Sequence, residues 1–75
     1  MSKYTLDTTR RQIELMDENK IEVRVLTEGA TVQVFLLDDP WGEATLGDPF
    51  YWTGLKDIPR IGLQSDMENT EVEVA

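Results

Sequence analysis

Apolar and polar residues alternate along much of the chain, most clearly in its middle. Residues 21–26 read Ile-Glu-Val-Arg-Val-Leu, with Ile21, Val23 and Val25 on one set of alternate positions. Residues 31–37 read Thr-Val-Gln-Val-Phe-Leu-Leu, with Val32, Val34 and Leu36 on the matching set. A period of two places each set on one face of a strand, and β-branched side chains suit that pleated surface. Between the runs, Gly29 supplies the positive φ that a tight turn needs. The pattern predicts a hairpin folded about Glu28–Gly29, with Val25 opposite Val32, Val23 opposite Val34 and Ile21 opposite Leu36. Such pairs contribute roughly 0.2–1 kcal/mol each. Leu26, Phe35 and Leu37 fall on the other face, beside Glu22, Arg24 and Gln33. That face therefore calls for a cover, either a second layer of the same chain or a partner.

The flanking segments follow the same period less cleanly. Tyr4 and Leu6 predict a short edge strand, while Asp7 can also cap a helix starting at Thr8. Ile13 and Leu15 share one side of a strand, and only Ile13 and Met16 have helical spacing, so a strand is favoured over a helix at 8–18. A turn at Asp17–Lys20 would then join this strand to the hairpin as a meander, with Leu15 opposite Val23 and Ile13 opposite Val25. Residues 38–49 hold Pro40, Pro49, Gly42 and Gly47 and read as a long ordered loop. Phe50–Gly54 reads as a strand, with Phe50 and Trp52 on one face and Tyr51 on the other. A turn at 55–59 and a strand with Ile61 and Leu63 inward follow. A terminal strand with Val72 and Val74 on one face, favoured over a frayed acidic tail, is expected as an exposed edge.

These elements predict one small domain over residues 1–75 and an all-β fold, a small antiparallel β-meander or barrel-like sheet of about five strands. The alternative is an α+β fold with one N-terminal helix at about 8–18 packed on a sheet.

Composition narrows the chemistry. With 75 residues the chain buries only about 60% of its unfolded surface. It has no cysteine and no histidine, which excludes disulfides, thiolate or imidazole metal sites, and Ser-His or Cys-His nucleophile pairs. No apolar run resembles a signal peptide or a membrane span, so a cytoplasmic protein is expected (host-cell cytoplasm if phage-encoded) with no membrane partner. Fifteen acids against seven bases leave a net charge of −8. Residues 38–75 hold nine of those acids and only Lys56 and Arg60 as bases. A negative field of this kind repels nucleic acid and attracts basic surfaces.

Neither a nucleotide loop nor an EF-hand spacing occurs, and no enzyme, metal or cofactor is expected. Asp38, Asp39 and Asp48 are explained by turns and pre-proline positions. Phe50, Tyr51 and Trp52 could stack bases, but they sit in the acidic half, so direct nucleic-acid binding is not expected. The set Asp38, Asp39, Trp41, Glu43, Asp48, Tyr51, Trp52 and Asp57 mixes carboxylates with large aromatics, and it is read as the surface for a basic protein partner. For Trp52, burial in the core is the competing and favoured role.

In its acidic composition and size the chain is similar to small inhibitors of phages and mobile elements. Some of those imitate DNA and occupy the basic groove of a nucleic-acid-processing protein, CRISPR complexes included. The analogy implies that Asp38, Asp39, Glu43, Asp48, Asp57, Asp66, Glu68, Glu71 and Glu73 share one edge, in a monomer or homodimer. The other expectation is a structural or assembly subunit, or a homodimeric interaction domain, with no inhibitory role.

Overall fold

A computed structural model describes residues 2–14, 20–54 and 60–75. The fold is all-β, with eight strands among the described residues: β1 (Ser2–Leu6), β2 (Arg11–Glu14), β3 (Lys20–Val25), β4 (Thr31–Leu36), β5 (Asp39–Thr45), β6 (Phe50–Thr53), β7 (Arg60–Ser65) and β8 (Thr70–Val74). They form two four-stranded antiparallel sheets, ordered β1-β8-β3-β6 and β2-β7-β4-β5. Among the described residues no helix is long and apolar enough to cross a membrane.

The topology follows from one doubling back of the chain. At Leu37-Asp38 both residues take positive φ (53° and 67°). That is the backbone a two-residue hairpin turn demands. From this point the chain pairs with itself in nested order: β4 with β5, β3 with β6, β2 with β7 and β1 with β8. The doubled ribbon then rolls up, so that β3 also joins β8 and β4 also joins β7. This is the strand order of an eight-stranded jelly roll.

Several expectations change accordingly. The all-β antiparallel expectation holds, with the second layer supplied by the same chain, but the strands among the described residues number eight rather than about five. The runs at 21–26 and 31–37 do not pair. They lie in opposite sheets, joined by a crossing at Leu26–Ala30 in which Gly29 does take a positive φ of 84°. Alternation cannot separate the two arrangements, because Val23, Val25, Val32 and Val34 are fully buried either side by side or face to face across a core. Nor does the meander form: Ile13 stands opposite Ile61, and Leu15 lies outside the described residues. The helical alternative fails over 8–14, where Asp7 Oδ1 accepts from the Thr9 amide at 2.7 Å, making a turn into β2 instead of a helix cap. Residues 39–45 form β5 rather than a loop, and β8 is an inner strand, not an edge. The expected turns at 17–20 and 55–59 fall largely or wholly outside the described residues.

The core is what the period-two pattern requires. Ile21, Val23, Val25, Val32, Val34, Leu36, Ile61, Leu63, Val72 and Val74 all point between the sheets and are buried. The loops at one end are tied down by polar side chains. Asp66 accepts from the Thr31 amide at 2.9 Å, Thr27 Oγ1 accepts from the Glu71 amide at 2.8 Å, and Ser65 and Thr70 hydroxyls meet at 2.6 Å.

Candidate interaction surface

Each sheet of the sandwich ends in an edge strand on either side, and the two sides differ. On one side lie β1 and β2, on the other β5 and β6. The β5–β6 side collects the exposed apolar groups. Leu37, Trp41, Leu46, Tyr51 and Trp52 are five of the seven large hydrophobic side chains exposed among the described residues. Residues 37–54 also contain Asp38, Asp39, Glu43 and Asp48 but no lysine or arginine.

The backbone sets up this edge. Along β5 the register passes from Gly42 opposite Val34 to Pro40 opposite Phe35, which leaves Trp41 as the extra residue of a β-bulge. A bulge twists an edge strand and re-aims a side chain. Here it turns Trp41 toward Trp52 of the other sheet, and their rings pack edge to face, 4.7 Å between centroids at 88°. Trp52 stands opposite the inward-facing Ile21, so it too points toward the gap between the sheets. Behind the pair, the Phe50 ring lies on Gly42, where a Cβ would come within 2.7 Å of it. The glycine is therefore needed for the two edge strands to approach. Trp41 and Trp52 nonetheless remain 44% and 42% exposed, so Trp52 is not the core residue expected of it.

Leu37, marked by the sequence as an apolar residue in need of a cover but not placed with the site residues, belongs to this corner. Its φ of 53° is one that a non-glycine side chain disfavours, at a cost of about 1–2 kcal/mol. It is also 77% exposed. Strain of this kind at an exposed apolar tip fits a site of contact better than one of packing. The only signal in the sequence is the absence of Asn-Gly or Asp-Gly where a two-residue turn occurs.

The expected site residues are brought together only in part. Asp38, Asp39, Trp41 and Trp52 share the corner where the β4–β5 turn meets the β5–β6 edge. Asp48 lies at the far end of that edge, bridged to Thr45 by two backbone hydrogen bonds of 3.1 and 3.0 Å. Tyr51, 56% exposed, faces outward opposite Glu22 on one sheet, and Glu43 lies opposite Gln33 on the other. Asp57 lies outside the described residues. The wider carboxylate set does not form one edge either. Glu73 stands between Lys3 and Arg24 on the outer face of its sheet, and Glu71 is beside Thr5. Asp66 is occupied in holding Thr31. Asp38 receives Arg10 at 3.3 Å. Among the described residues no three acidic side chains gather as they would around a metal ion.

Phe35, expected to need a cover, is only 7% exposed. The Arg10 guanidinium lies 3.8 Å from its ring centroid, and the Arg10 stem crosses Gly62, where a Cβ would be 3.0 Å away. Compared with protein-family models, with curated proteins and with solved structures, the chain matches none.

Proposed function

We propose that this chain is a protein-binding module, without catalytic activity, that engages a basic partner through its β5–β6 edge. The observation that carries this reading is the concentration of exposed Leu37, Trp41, Leu46, Tyr51 and Trp52 in a segment that has four carboxylates and no base. Half-buried tryptophans are rigid anchors with large apolar area, and surrounding acids steer a cationic surface toward them. Inhibition of a host nucleic-acid-processing protein, by covering its basic surface, is the biological role this chemistry suits, in the cytoplasm of the host. Literal imitation of the DNA backbone is not the basis of the proposal. The carboxylates are spread over both faces, and aromatic anchors do the discriminating.

A pull-down tests the reading. Immobilised wild type and the Trp41→Ala/Trp52→Ala variant are compared on the same bacterial lysate, with and without duplex DNA and moderate salt in the wash. A nucleic-acid-binding protein retained by wild type, released by salt and lost from the double variant is the expected result. Equal retention by both proteins would contradict it. A concentration-dependent mass by light scattering, with no heterologous partner, would favour the self-associating role instead.

A further inference from the structure

The four edge strands are not equally protected against pairing with another chain. β5 carries Pro40 and a bulge, both of which discourage strand addition. β2 is preceded by Arg10 and begins with Arg11. The Arg11 guanidinium reaches over to the Thr5 carbonyl at 3.5 Å and the Tyr4 ring at 5.1 Å, so it covers β1 as well. β6, Phe50-Tyr51-Trp52-Thr53, has no charge, no proline and no bulge.

The ladder also fixes which groups of β6 face outward. Glu22 exchanges both backbone bonds with Ala75, at 3.1 and 3.0 Å, so its amide and carbonyl point toward β8. Its neighbours Ile21 and Val23 therefore bond to the opposite side, to Trp52 and Phe50. By the same alternation the N–H and C=O groups of Tyr51 and Thr53 point away from the sheet, and among the described residues no backbone group meets them there.

We infer that β6 accepts an extended basic segment of a partner protein as a fifth strand of its sheet. The inference rests on the binding role proposed for this edge and adds its mode and the partner's chemistry. An added strand would carry the sheet past β5. Its inward side chains would then fall on the exposed flanks of Trp52 and Trp41, and its outward ones beside Tyr51. Apolar residues suit the first set. Lysine or arginine suits the second, where a cation meets the Tyr51 ring beside Glu22, although Lys20 stands opposite Thr53, and residues 37–54 carry four carboxylates and no base. A second copy of this chain would bring the same four carboxylates against themselves, which disfavours it as occupant.

The probe is a short synthetic peptide alternating lysine with valine, added to isotope-labelled protein and followed by NMR. A glutamate–valine peptide is the control. The expected result is slowed exchange of the Tyr51 and Thr53 amides with the lysine peptide only. Thr53→Pro removes one outward donor and no bond to β3, since proline is tolerated on the open side of an edge strand. It should weaken binding roughly fivefold. Methylating alternate peptide nitrogens removes donors without touching the protein and should weaken it likewise. If both changes leave affinity unaltered while Trp41→Ala or Trp52→Ala abolishes it, strand addition is wrong and the edge remains a side-chain docking surface. If the tryptophan variants also bind normally, both readings fall. Protection of Tyr51 and Thr53 that rises with protein concentration alone would assign the edge to a second copy and overturn the basic segment. No response to either peptide would also overturn it.

Discussion

The two open sides of the sandwich solve the same problem in opposite ways. On the β1–β2 side, the half-buried Tyr4 is roofed by Arg11, and the linking loop is fastened by the Ser65 amide on the Asp7 carbonyl (3.0 Å) and Gln64 on the Thr8 carbonyl (2.8 Å). Along residues 2–14 Lys3, Arg10 and Arg11 stand against Asp7 and Glu14, so that side lacks the purely acidic character of the other. Among the described residues the β5–β6 side is closed by Trp41 against Trp52 and Phe50 against Gly42, and its exposed apolar groups stay in contact with water. One fold thus finishes one edge internally and leaves the other for something else to cover. A large apolar side chain held at the surface by a bulge or a strained turn, as Trp41 and Leu37 are, opposes folding stability unless it is used.

The largest effect on this contrast is expected from Gly42→Val. Its side chain would drive into the Phe50 ring and part the two edge strands, costing about 1–3 kcal/mol as other overpacked sites do. Urea unfolding measures this, and partner retention should vanish with it. Replacing both tryptophans by alanine separates closure from contact. With over 40% of each ring exposed, the stability loss should stay below the about 3–5 kcal/mol of a buried tryptophan, while partner affinity falls by about 2 kcal/mol or more. A stability loss in the full core range with unaltered binding would make the pair structural. Leu37→Gly relieves the positive φ and should raise the thermal midpoint, gaining about 1 kcal/mol, yet weaken binding. The smallest effect belongs to the finished edge. Arg11→Ala removes an exposed cation–π contact of about 0.5–1 kcal/mol and should leave binding untouched.

What the chain spells out locally is which residues face inward. Ile21, Val23, Val25, Val32, Val34, Ile61, Leu63, Val72 and Val74 follow from alternation alone and are all buried. Which strands pair does not follow, because the period is the same whether Val25 meets Val32 in one sheet or across two. Adjacent strands are the usual partners. Here only β4 and β5 obey that preference, and the other nested pairs join segments far apart in the chain. The site was half legible for a related reason. Trp41 and the acids stand out by residue type, but Asp39-Pro40 and Gly42 disguise β5 as a loop. They are there because an edge strand tolerates proline and because Phe50 needs a neighbour without a Cβ. The bulge that aims Trp41 and the left-handed Leu37 are consequences of pairing, which alternation within a single sequence does not specify.

Binding, on this reading, takes place on the unfinished edge. Residue-resolved hydrogen exchange on the free chain and on the salt-sensitive complex tests it most directly. New protection is expected to be confined to residues 37–54, strongest around Trp41, Tyr51 and Trp52, with residues 2–14 unchanged. Protection that appears instead on β1 and β2, or evenly over both sheets, would contradict it.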